Sequence, residues 1–112
     1  MGSFVIHKRG KASYYAALMT ANGDVILRGS DCANLMDCKY SIDSIRANAT
    51  DFSKYELTDS HEGKYFFELK GLDGNDIARS VIFDSPDNVY SGIELVIRNI
   101  PTAIIDNQDF IG

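Results

Sequence analysis

Apolar and polar residues fall into short blocks that run along the chain twice in the same order. Residues 4–8 read as an extended run closed by the polar turn Arg9-Gly10-Lys11, and residues 55–58 repeat it before His61-Glu62-Gly63. A second strand follows at residues 14–20 and again at 65–71. Next come Ala21-Asn22-Gly23-Asp24 and Leu72-Asp73-Gly74-Asn75, both of which signal a hairpin. Each half then carries an amphipathic stripe at spacings of 3, 4, 3 and 4. The first is Leu35, Cys38, Ile42, Ile45 and Ala49, and the second is Pro86, Val89, Ile93, Val96 and Ile100. Asn34 is placed to cap the first helix with Asp37 three residues on. Ser85 caps the second, with Pro86 at its first position. Pro101 ends that helix near Asn99, and residues 103–107 form a last extended run.

A shift of 51 residues aligns the two halves without a gap. Identical pairs include Tyr14/Tyr65, Leu18/Leu69, Gly23/Gly74, Ile26/Ile77, Arg28/Arg79 and Ile42/Ile93. They fall at turn glycines and apolar positions, which is where a shared fold constrains a sequence. The expected fold class is α+β, a tandem repeat of β-β-β-α(-β) units. They would form an antiparallel meander sheet with both helices on one face. Residues 1–112 then make a single domain of two internal repeats, about 3–51 and 54–107.

Strand register follows from the hairpin loops. A two-residue loop would put Ile77 on the face that carries Glu68. A three-residue loop, with a left-handed glycine in a bulge, pairs Leu69 with Ile77 and Leu18 with Ile26. Because a one-residue slip turns a whole strand over, the register that gathers apolar residues is expected. It places Tyr15, Ala17, Met19, Val25 and Leu27 on the outer sheet face of the first repeat. The equivalent positions of the second are Phe66, Glu68, Lys70, Asp76 and Ala78. Five apolar residues against three charged ones mark a candidate interaction surface, most simply for a second copy of the chain. Harmless exposure, or a tail (Ile104-Ile105 and Phe110-Ile111) folded back over the patch, would explain it otherwise.

Charge sharpens the contrast between the halves. Residues 1–51 carry six Lys/Arg and five Asp, whereas residues 52–112 carry five Lys/Arg and eleven Asp/Glu. The net charge of −5 gives no electrostatic reason to expect nucleic acid or an anionic membrane as partner. Composition is otherwise that of a folded domain, with 45% apolar and 24% charged residues. The apolar run before His7-Lys8-Arg9 is too short for a signal peptide, and no stretch reaches membrane-spanning length. The cytoplasm is expected, with Cys32 and Cys38 as free thiols.

The chain resembles the YegP-like family of small bacterial proteins. The likeness rests on Gly2-Ser3-Phe4-Val5-Ile6, on residues 18–26 and on residues 41–49. In the second half it rests on residues 63–70, on Gly92-Ile93-Glu94 and on the tail at 103–106. That resemblance implies three-stranded meanders, each with one helix and a returning strand, which pair into a shared sheet and can exchange their C-terminal strands. It implies no established biochemical activity. Where the family has Ser-Lys at the helix start, this chain has Asn34-Leu35 and Ser85-Pro86, so any anion contact made by that lysine is absent from both halves.

Few residues suggest chemistry. His7 and His61 are not repeat equivalents and lack neighbours at ligand spacing, so they read as a strand and a turn residue. The six-residue spacing of Cys32 and Cys38 matches no zinc or redox motif, and Cys38 lies on the apolar stripe. Arg28 and Arg79 are the most interesting polar pair. In the expected register they lie on the core-side face, each at the sheet rim with its stem packed and its head on a carbonyl or carboxylate. Alternatively they form a symmetric pair of anion-binding guanidiniums. No nucleophile with its base and no separated carboxylate pair stands out, and neither metal nor cofactor is implied. A non-catalytic binding or assembly module therefore ranks first, an enzyme or small-ligand binder between the repeats second, and nucleic-acid binding third.

Neither half is expected to fold alone, because fifty residues bury too little surface and leave open sheet edges. Residues 1–54 and 52–112, expressed separately, should show no cooperative melt by circular dichroism as monomers. A cooperative, monomeric fragment in sedimentation would contradict this.

Overall fold

The computed structural model describes residues 2–106. Three strands, β1 (Ser3–Gly10), β2 (Ser13–Met19) and β3 (Val25–Gly29), lead into α1 (Leu35–Asn48). After a 3-10 turn at Phe52–Lys54, β4 (Tyr55–Asp59), β5 (Tyr65–Lys70) and β6 (Asp76–Ser80) lead into α2 (Pro86–Asn99). A second 3-10 turn, Ile100–Thr102, precedes β7 (Ile104–Asp106). All seven strands form one sheet in the order β4-β5-β6-β3-β2-β1-β7.

The sheet is mixed, which corrects the expectation of a purely antiparallel meander. Among the described strands β7 alone runs parallel to its neighbour, with Ser3 beside Ile104 and Val5 beside Asp106. It pairs with β1 of the first half, at the edge of the sheet opposite β4. The expected residue Asn107 and the pair Phe110-Ile111 lie outside the described residues.

The caps are as the sequence implied. Asn34 Oδ1 accepts from the Asp37 amide at 2.9 Å, and Ser85 Oγ from the Asn88 amide at 3.1 Å. Below them Cys38, Ile42 and Ile45 of α1 and Val89, Ile93 and Val96 of α2 are buried. The stripes begin one turn later than their spacing suggests, because Leu35 and Pro86 are exposed. Both helices pack into a single cluster with Phe4, Leu18, Leu27, Phe67, Leu69 and Ala78. Strand register puts those residues on one sheet face, so both helices lie on that side.

Both hairpins use the three-residue loop. The amide of Thr20 bonds to Asp24 O at 2.9 Å and that of Gly71 to Asn75 O at 2.9 Å. Gly23 and Gly74 have φ of 89° and 81°, the left-handed region that glycine adopts without a Cβ clash. Beyond the loop, however, the register shifts once more. Met19 faces Val25, but Leu18 faces Leu27; Lys70 faces Asp76, but Leu69 faces Ala78. Ile26 and Ile77 are therefore extra residues, and the expected pairs Leu18/Ile26 and Leu69/Ile77 do not form. A bulge allows two successive side chains to share a face, which lets Ile26 and Leu27 both enter the core. Every later residue of β3 and β6 is turned over relative to the simple alternation.

Ile42 and Ile93 are 0% and 1% exposed. Truncating either to alanine should cost about 2–5 kcal/mol through lost contacts and a residual cavity. Urea unfolding of Ile42→Ala and Ile93→Ala measures this, and a loss below about 1 kcal/mol would contradict the packing described.

Candidate functional site

The two halves meet where β3 pairs with β6, with Leu27 opposite Ser80, Arg28 opposite Arg79 and Gly29 opposite Ala78. Since 28 and 79 are equivalent under the 51-residue shift, this ladder has local two-fold symmetry centred on the arginine pair. The bulges at Ile26 and Ile77 place both arginines on the helix-free face, not the core-side face expected from simple alternation. The same shift moves Leu27, one of the expected outer residues, into the core at 1% exposure, and Ala78 goes with it. Tyr15, Met19 and Val25 remain on the outer face and are half-buried, while Ala17 is buried there. The sequence did carry a signal of the bulge. Ile77-Ala78 is an apolar pair between charged Asp76 and Arg79, a run that strict alternation cannot bury.

On the first half, Tyr15 organises the outer face. The guanidinium carbons of Arg9 and Arg28 each lie 5.0 Å from its ring centroid, and the His7 ring stacks on it at 5.1 Å. Guanidiniums over an aromatic face gain electrostatic and dispersion energy while their donors remain available. Arg9 has Asp31 at 3.5 Å. No ion pair is formed by Arg28 among the described residues. Sequence reasoning missed His7 and Arg9 here, although the β1–β2 hairpin register places His7 directly opposite Tyr15. His61 instead occupies the β4–β5 turn with φ of 82°, its amide bonded to Asp59 Oδ1 at 2.9 Å.

The second half neutralises its own charges on the corresponding face. Arg79 lies 4.8 Å over the Phe66 ring and 3.4 Å from Glu68. Lys70 contacts Glu56 at 3.5 Å and also hydrogen-bonds Asp76. That bond holds the Lys70 ammonium above the usual lysine range and Asp76 below the usual carboxylate range. A shallow cavity of about 180 Å³ spans the junction, lined by both arginines with Ser30, Glu68 and Asp76. Either the two guanidiniums with bound anion, or the arginines with these carboxylates, could balance charge there.

The two strongly shifted groups lie elsewhere. Burial pushes the Cys38 thiol up to about 12, with Cys32 beside it adding to the rise. Burial also raises the Tyr55 phenol, whose hydroxyl donates to Ala49 O at 2.6 Å. Both sit in or against the core beneath the helices, where they hold structure together.

This arrangement of a seven-stranded α+β sheet with two helices is similar in fold to solved bacterial proteins. Residues 60–106 match the Domain of unknown function family DUF1508. A UPF0339 protein of Pseudomonas aeruginosa is 26% identical over 94% of this chain and 96% of its own length. YegP of Escherichia coli O157:H7 is 26% identical over 88% of this chain and 89% of its own. The solution NMR structure of yegP from E. coli superposes with a TM-score of 0.85 at 24% identity, covering 94% of this chain and 90% of that one. These matches support a YegP-like protein. Among the described residues no helix is long and apolar enough to cross a membrane.

The buried acids give a pH dependence. Cys38 and Tyr55 stay protonated in the folded state but ionise at ordinary values, about 8.5 and 10, once unfolded. Their contribution is thus complete below the unfolded values and is lost as pH rises toward the folded ones. Urea midpoints should hold to about pH 8 and then fall toward pH 12, less steeply in Cys38→Ala and Tyr55→Phe. Slopes unchanged in both variants would contradict this assignment.

Proposed function

We propose that this protein is a non-catalytic assembly module, a tandem duplicate acting as one domain in the cytoplasm, whose docking surface is the helix-free sheet face of its first half. One observation carries the reading: Tyr15 has the guanidiniums of Arg9 and Arg28 each 5.0 Å from its ring centroid, on the face that also presents the half-buried Met19 and Val25. An aromatic anchor flanked by guanidiniums and apolar side chains has the composition of an interface centre. The corresponding region of the second half carries Glu56, Glu68 and Asp76. A second copy turned end for end would bring those carboxylates over the cationic half, twice, in a closed two-fold dimer. Strands about 4.8 Å apart with roughly 3.3 Å rise per residue give a face of roughly 500 Å² per copy. Doubled, that lies at the lower end of specific interfaces, so the association is weak. The groups whose protonation is strongly shifted lie in or against the core rather than on this face, which supports a binding role over a catalytic one.

The cavity between Arg28 and Arg79 favours a second reading, in which an anionic small ligand sits on the two-fold centre. Glu68 and Asp76 in its lining oppose an anion, so this reading ranks below the first.

Sedimentation velocity across micromolar concentrations tests the assembly. The wild type should self-associate, and Met19→Glu with Val25→Glu should leave the fold intact by circular dichroism and shift it to monomer. A wild type that stays monomeric at high micromolar concentration rules out the dimer.

A further inference from the structure

The internal repeat supplies its own control for packing under the two helices. In the second half, Tyr65 and Phe83 exchange backbone hydrogen bonds of 2.8 and 2.7 Å. The Phe83 ring then stacks on Phe67 at 6.2 Å. A methyl group at Gly92 would stand 2.7 Å from Phe83 Cζ, so α2 needs a glycine where it crosses that ring. The first half keeps the same bridge, Tyr14 with Cys32, at 2.8 and 2.6 Å. Shifted by 51 residues, however, Phe67, Phe83 and Gly92 become Ala16, Cys32 and Ser41. Two rings are gone. An open cleft of about 310 Å³ has Cys32, Ser41, Tyr40 and Asp37 in its wall.

Cys32 is thereby half-buried and reachable from that cleft, while Cys38 lies fully buried on the first turn of α1. Both are tightly held. Cys32 is pinned by the Tyr14 bridge, and the Cys38 amide bonds to Asn34 O at 3.2 Å. Cys32 Sγ donates to Ser30 O at 3.4 Å, and the Cys38 thiol is raised by burial first and by the neighbouring Cys32 second. Only residues 33–37 separate the two, and Cys32 packs against the core cluster that contains Cys38.

We propose that Cys32 and Cys38 form an oxidisable dithiol that closes to an intramolecular disulfide on reaction with a hydroperoxide. Cys32 sulfur attacks the terminal peroxide oxygen; the O–O bond breaks, leaving an alcohol or water and a sulfenic acid on Cys32. Cys38 sulfur then attacks Cys32 sulfur, forming the S–S bond and breaking S–OH. The hydroxide leaves with the Cys38 proton as water. Two thiols surrender two electrons, and the peroxide is reduced by two. The order follows from position, because Cys38 has no route to solvent and holds its proton tightly, whereas Cys32 faces the cleft. Proximity offsets the weak acidity of Cys38, since a held neighbour reacts at a high effective concentration. The disulfide joins the strap between β3 and α1 to the first helical turn. No side chain of the second half can do the same, because the equivalent residues are Phe83 and Val89.

The test treats the folded, reduced full chain with hydrogen peroxide and follows free thiols and intact mass. Both thiols should be lost together, giving a monomeric chain lighter by two hydrogen atoms that dithiothreitol restores. In Cys38→Ser the reaction should stop at a Cys32 sulfenic acid that dimedone traps, and in Cys32→Ser the remaining thiol should survive the same exposure. A wild-type chain that gains two oxygens at Cys32 while Cys38 still titrates overturns the proposal. So does a disulfide formed only between chains.

Discussion

Everything else in this structure depends on the antiparallel pairing of β3 with β6. The first half offers three strands and one helix, and the second adds only the short β7 to the same set, too little in either case to enclose a core. Joined through the ladder around Arg28 and Arg79, the halves become one sheet, and the stripes of α1 and α2 share one cluster with Phe4, Leu18, Leu27, Phe67 and Leu69. The ladder also removes two edges that would otherwise template aggregation. Gly29 fits this arrangement closely, as a Cβ there would stand 3.0 Å from Ser41 Oγ and 3.4 Å from Ile45 Cδ1 of α1. On the other strand Ser80 is buried, its hydroxyl accepting from the Phe67 amide and donating to Val81 O. Its polar atom is thereby satisfied inside the core.

The bulges at Ile26 and Ile77 convert that junction into a surface feature. Without them, β3 and β6 would turn Arg28 and Arg79 toward the helices, where two opposed cations would face a desolvation cost that no carboxylate offsets. With them, the guanidiniums lie over Tyr15 and Phe66 on the open face, and Leu27 and Ala78 fill the core. One inserted residue per strand thus decides which side of the sheet is charged. The halves then diverge in how they treat that charge. Glu68 stands against Arg79, and Glu56 and Asp76 against Lys70, while the first half leaves Arg28 on Tyr15.

Much of the architecture was legible because it rests on local rules. Helical spacing, the Asn34 and Ser85 caps and the three-residue loops at Gly23 and Gly74 each follow from a few neighbouring residues. The bulges break the alternation that a hairpin loop imposes, and their sequence signal is confined to the adjacent apolar pairs Ile26-Leu27 and Ile77-Ala78. Leu27 and the two arginines were therefore assigned to the wrong faces together, a single error propagated along a strand. The parallel setting of β7 depends on where α2 delivers the chain, which is a tertiary outcome. The grouping of His7 and Arg9 around Tyr15 depends on the cross-strand registration of β1 with β2, which no local rule supplies.

The central claim is that the β3–β6 ladder makes one cooperative unit of the two halves, and native-state hydrogen exchange tests it most directly. Ladder amides in residues 27–29 and 78–80, together with core amides of α1 and α2, should exchange with one common free energy, equal to that of global urea unfolding. Two separate exchange energies, with one half opening while the other stays protected, would contradict it.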